Sequence, residues 1–125
     1  MAIWKPLISG FVLALLVAAF FRVAGHLFFI EGRSAANLHA LGGAATGLML
    51  GWLASRQFGH RGAVLAAIPG LLLMAAITSH FSLAFPNIDP KLDKGFGGLM
   101  LWFHGFVLAG GLLAARLQTK NGEAP

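Results

Sequence analysis

The chain contains no cysteine and no tyrosine. Without thiols there are no disulfides, thiolate metal sites, iron–sulfur clusters or thiol redox chemistry. Without phenols there is no tyrosine-based proton or radical chemistry. Only four residues are acidic: Glu31, Asp89, Asp93 and Glu123. None lies inside an apolar run, which excludes transport driven by intramembrane carboxylates. No Ser/His/Asp set and no phosphate-binding loop appears, so hydrolase and nucleotide-binding readings have no basis. Charged residues make up 10% of the chain, far below the roughly 25% of a soluble domain. The net charge of +5 is spread over the ends of apolar runs, with no basic face. It is not a nucleic-acid footprint.

What the chain has is hydrophobic length. Of its 125 residues 58% are hydrophobic. Four apolar runs cover about 6–30, 35–55, 62–85 and 95–117. Each is near the roughly 20 residues that cross a hydrocarbon core as a helix. The first run is too long for the apolar region of a signal peptide, and Val17-Ala18-Ala19 before Phe20-Phe21 makes a poor cleavage site. An uncleaved span is expected. Short connections imply antiparallel neighbours. The expected fold is all-α: a four-helix transmembrane bundle, up-down-up-down, forming one integral membrane domain over 1–125. In the longer connection 86–94, Asp89-Pro90 predicts an N-cap followed by proline at the first helical position.

Basic residues set the orientation. Lys5, Arg56, Arg61, Arg116 and Lys120 fall on one side, Arg33, Lys91 and Lys94 on the other. Five against three places both termini in the cytoplasm of a bacterial inner membrane. Glu31, Asp89 and Asp93 sit on the less basic side, and Trp4 and Trp52 suit the cytoplasmic interface. Trp102 lies about two turns inside the fourth run, where packing is its expected role. Gly47-Leu48-Met49-Leu50 recurs as Gly98-Leu99-Met100-Leu101, a weak hint of a duplicated hairpin that chance matching also explains.

Each run carries one histidine: His26, His39, His80 and His104. His60 falls in a connection and is expected to be solvated. Threaded as antiparallel helices, the four lie toward the non-cytoplasmic side, His104 about one turn deeper than the rest. His39, Gly43, Gly47 and Gly51 follow one another at i+4 and share a face, where small residues admit a neighbouring helix. Gly98, Gly105, Ala109 and Gly110 give the fourth run small faces of its own. Arg22 and His26 are also i, i+4. Arg22 lies about nine residues before Glu31, roughly 13 Å along the axis. At that depth an arginine is expected to face a site in the bundle or to snorkel toward lipid phosphates.

Four imidazoles and Arg22 suit several groups. A b-type haem needs one or two axial imidazoles and a cation for its propionates. Copper or zinc needs three or four imidazoles at one depth. A quinone needs a donor to a carbonyl oxygen in an apolar cleft. The bland alternative is that each histidine is neutral and bonded to a backbone carbonyl. His39 with His104, each beside a glycine-rich face, is the first candidate pair, and His26 with His80 the second. Phe28, Phe29, Phe81 and Phe103 lie close to these histidines and suit either a cofactor wall or lipid. Pro69-Gly70 is expected to kink the third run. Thr46, Thr78 and Ser79 can bond back to their own helices.

The expected function is therefore a small inner-membrane subunit with a His/Arg site for haem, metal or quinone in electron transfer. The alternative is a cofactor-free accessory or assembly subunit, packing through its glycine faces on other membrane subunits or on a second copy. A channel or transporter has the least support, because no polar line reaches the cytoplasmic half.

Overall fold

The computed structural model describes residues 2–29 and 33–120. Ile30, Glu31 and the C-terminal tail from 121 lie outside the described residues, as does the depth expected for Glu31. The described residues are almost all helical, with no strand among them. Helix α1 spans Trp4–Phe28, α2 spans Arg33–Ser79, α3 is the short Phe81–Ala84, and α4 spans Asp93–Lys120. Three of these helices are long and apolar enough to cross a membrane.

α2 is not one rod. Gly59 adopts φ 74° and ψ 171°, a left-handed value that a side chain disfavours. The chain reverses there. The connection expected over 56–61 thus contracts to one non-helical residue, with helix on both sides. Pro69 and Gly70, by contrast, keep helical backbone angles. Glycine can supply the left-handed turn, whereas proline in a helix removes one N–H without forcing a reversal.

Glycines decide which helices touch. Added Cβ atoms at Gly47 and Gly51 would strike the Phe103 and Val107 carbonyls of α4. One at Gly110 would strike the Leu48 carbonyl. The first arm of α2, before Gly59, therefore lies backbone-to-backbone on α4 and runs in its direction. The second arm runs the opposite way along α4, pairing Ala63 with Gly111, Gly70 with His104 and Thr78 with Gly97. α1 packs on the second arm through Gly10, against the Ala66 carbonyl, and reaches Ile88 at Gly25. Helices joined directly in sequence are not always the closest partners. α1 lies against the second arm, so the first and third apolar runs are adjacent, not diagonal.

At the Phe28 end the core is aromatic. Phe96 and Phe85 are fully enclosed. Phe96 meets Phe21 at 5.2 Å, Phe85 at 5.1 Å and Phe81 at 5.4 Å between ring centroids. Beside this cluster the predicted turn forms: Pro90–Leu92 is a 3₁₀ turn, and the Asp89 carboxylate accepts from Lys91 N–H at 2.9 Å.

Candidate functional site

The five candidate side chains separate into four places. Arg22 and His26 stay together on one flank of α1. Arg22 Nη1 donates to the Ala84 carbonyl at 2.7 Å and to the Leu83 carbonyl at 3.4 Å. These are carbonyls at the end of α3, where helix geometry leaves acceptors open. One turn on, His26 Nδ1 accepts from Asn87 Nδ2 at 3.3 Å. The pair thus ties α1 to the segment 83–87. Arg22 neither faces the bundle interior nor stands free. Its guanidinium completes the end of a neighbouring helix. Asn87 was not singled out in the sequence, and nothing local marks it, since its partner is 61 positions away.

His80 stands at the break between α2 and α3 and is exposed. Its Nδ1 lies 3.1 Å from the Ala76 carbonyl. Thr78 and Ser79 donate to Met74 and Ala75 in the same i−4 pattern. These three side chains take up carbonyls at the end of α2.

His39 occupies a different environment. Its ring stacks on Phe28, with centroids 4.1 Å apart and planes at 17°, and Phe29 meets it edge-on at 6.1 Å. The stack closes one end of a cavity of about 480 Å³ between α1, the first arm and α4. Phe20, Gly42, Gly43, Thr46, Met100 and Phe103 contribute to its walls. Gly42 has no neighbour within 4 Å of an added Cβ, and at Gly43 the first neighbour is a flexible leucine tip at 3.4 Å. The glycine register that brings α4 close lower down leaves a slot here.

His104 is 6% exposed, on the face of α4 toward the second arm. Its Nδ1 lies 2.7 Å from the Met100 carbonyl. A carbonyl only accepts, so Nδ1 carries a proton, and in the neutral ring Nε2 carries the lone pair. Nε2 points at Gly70, where an added Cβ would come within 2.5 Å.

Among the described residues no three metal-ligating side chains converge. Each cavity described here is lined by at most one histidine. His39 lines one and His104 two others, with Met100 lining all three. A bis-histidine haem or a multi-imidazole metal site needs two or more imidazoles on one cavity, and these residues do not fit that need. A ligand that uses a single imidazole fits better.

Trp102 is half exposed, and its indole N–H donates to the Ala40 carbonyl at 2.9 Å, bracing α4 on the first arm. Ser55 Oγ is buried without a hydrogen-bond partner among the described residues. Ser55 is 1% exposed and extends the register of Gly43, Gly47 and Gly51 by a further i+4 step, so its burial was legible in the spacing.

Residues 53–118 match a family model described as Family of unknown function (DUF5367), and the match takes in just over half of the chain. The chain belongs to that family. The matched segment holds Gly59, the second arm and α4, and leaves α1 and His39 outside. No curated protein and no solved structure matches the chain.

Proposed function

We propose that the chain is a four-span subunit of a bacterial inner membrane, both termini cytoplasmic, that holds a quinone beside His39 in an electron-transfer setting. The reversal at Gly59 supports four passes: α2 has 47 residues, about 70 Å of helix, against a hydrocarbon core of about 30 Å. The five-to-three distribution of basic residues supports the orientation.

The observation that carries the ligand is the His39–Phe28 stack at the end of an apolar cavity of about 480 Å³. That volume lies in the range of small-molecule sites. A quinone ring is planar and apolar on both faces, with carbonyl oxygens at its edge. Phe20 and Phe28 offer faces for it, and Gly42 and Gly43 leave room for it. A ring N–H of His39 donates to one carbonyl oxygen. The isoprenoid tail leaves between α1 and the first arm, where Leu16, Phe20 and Leu38 are exposed to the bilayer side.

A second reading rests on a separate face. Gly98, Gly105 and Ala109 are exposed on α4, and added Cβ atoms at the two glycines meet nothing within 4 Å. Trp102 and Phe106 flank them along a groove of about 420 Å³. Small residues on an open helix face suit a helix of another membrane subunit, which is the accessory-subunit role.

The test is chemical. The chain is purified in mild detergent, and extracted quinone is measured against co-purified phospholipid. Enrichment over the source membrane that falls in His39→Leu supports the quinone reading. An unenriched ratio in the wild type, or an unchanged ratio in His39→Leu, removes it. A Soret band in the optical spectrum would put haem in its place.

A further inference from the structure

Two cavities meet at His104. One, of about 350 Å³, lies between the second arm and α4 toward the Phe28 end, with Thr78 and Ser79 as its other polar linings. The second, of about 300 Å³, extends toward the Gly59 end, where Ser9 and Gln57 are its polar linings. Met74, Met100 and His104 line both. The two therefore lie on either side of a shared wall of three side chains, His104 among them. From Ser79 to Ala66 the second arm rises about 20 Å, roughly two thirds of a hydrocarbon core.

The shared wall carries one titratable group. Among the residues lining either cavity, from α1, both arms of α2 and α4, none is Asp, Glu, Lys or Arg, and His104 is the single histidine. Its proton inventory is set by geometry. Nδ1–H is held on the Met100 carbonyl at 2.7 Å. Nε2 has no hydrogen-bond partner among the described residues. It occupies the space that a Gly70 side chain would take. Leucine or phenylalanine at position 104 would fill the same space without a lone pair, so packing alone does not call for an imidazole here. An ionisable residue at this depth is a functional group by default, and histidine is the side chain suited to taking up and giving back a proton near neutral pH.

We propose that His104 relays protons between the two cavities, giving the chain a proton-permeation activity. A hydrated proton in one cavity transfers to Nε2. One N–H bond forms, the ring becomes imidazolium, and Nδ1–H stays on the Met100 carbonyl. The same N–H bond then breaks toward water in the other cavity, and the neutral ring is restored. One proton crosses per cycle, with water as the only co-reactant and no redox change. The groups that would hold water are Thr78 and Ser79 in one cavity and Ser9 and Gln57 in the other. Gly70 makes room for the imidazole between the two cavities. This activity does not depend on the quinone reading, since His39 lines neither cavity.

The full chain is reconstituted into liposomes holding a pH-sensitive dye, and a potassium gradient with valinomycin drives protons inward. The dye is expected to acidify several-fold faster than in protein-free liposomes. In His104→Phe the rate should fall to the protein-free level. Gly70→Ala, which retains the imidazole but places a methyl where Nε2 sits, should lower it several-fold. His80→Ala, outside both cavities, should conduct like the wild type. A wild-type rate equal to that of protein-free liposomes overturns the proposal, as does full flux through a folded His104→Phe. If His104→Phe does not fold, full flux through Gly70→Ala overturns it instead.

Discussion

The first arm of α2 has two neighbours and treats them differently. Toward α4 it presents Gly47 and Gly51, and the two backbones touch. Toward α1 it presents Leu50, Leu53 and Ala54, and a cavity remains between them. On the tight side Gly47 meets the Phe103 carbonyl, Gly51 the Val107 carbonyl and Gly110 the Leu48 carbonyl, so a glycine on either helix admits the other's backbone. α4 answers with Gly110 and Gly111. Across the gap α1 offers Leu13, Leu16 and Val17, and it uses Gly10 on the second arm instead. With no difference in hydrophobicity between lipid tails and leucine, helix association depends on close packing. The tight side is thus the scaffold, and the loose side is where a ligand can enter.

The largest test of this contrast fills the tight side. Gly51→Leu places a side chain where the Val107 carbonyl already stands. Neither backbone can yield without moving a helix, so a loss of about 3 kcal/mol, the upper part of the usual overpacking range, is expected. Thermal unfolding in detergent measures it. Gly98→Ala and Gly105→Ala meet nothing within 4 Å. They should lose no stability and can gain up to about 1 kcal/mol from helix propensity. Equal effects at Gly51 and Gly98 would remove the distinction between the faces.

A middle-sized effect is expected at the α1 clasp. Arg22→Met keeps the apolar stem and removes the donors to the Leu83 and Ala84 carbonyls. Hydrogen bonds from charged donors contribute about 1.5–3 kcal/mol, and the exposure of this pair favours the lower end. His26→Ala loses only the neutral bond to Asn87, worth about 1 kcal/mol or less. If Arg22→Met costs no more than His26→Ala, the guanidinium is not what holds α1 to the end of α3.

Much of the scaffold could be read from the residues, and much of the site could not. Run lengths located the apolar helices, and the i+4 register marked Gly47 and Gly51 as a face for a neighbouring helix, which is α4. Asp89-Pro90 gave the turn at 89–92. The histidines are another matter. Depth follows from counting along a helix, but the direction of a side chain follows from helix rotation. Helices that are apolar on every side carry no stripe from which rotation can be read. His26 and Arg22 therefore turn to one flank of α1, while Phe28, on the same helix, turns to His39. The pairing of α1 with the second arm was also hidden. It depends on Gly10 meeting Ala66 across 56 positions, and short connections suggested other neighbours.

The smallest expected effect is at Ser55, and it probes the tight side from within. Ser55 is 1% exposed, and its Oγ has no partner among the described residues. A hydroxyl buried without a hydrogen bond costs about 1–3 kcal/mol by protein mutational data. Ser55→Ala removes that hydroxyl and keeps the Cβ that the interface already accommodates. It should leave the protein equally stable or raise stability by up to about 1 kcal/mol, the remainder being offset by the small void left behind. The i−4 partner open to a helical serine here is the Gly51 carbonyl. A rotation about χ1 that made this bond would reverse the sign, and Ser55→Ala would then lose about 1 kcal/mol. Thermal unfolding of Ser55→Ala beside Ser55→Gly separates the two cases. A gain in the alanine variant shows that the buried hydroxyl is unpaired. A loss in both assigns Ser55 a hydrogen bond, and the seam then gains a polar contact in addition to its glycines.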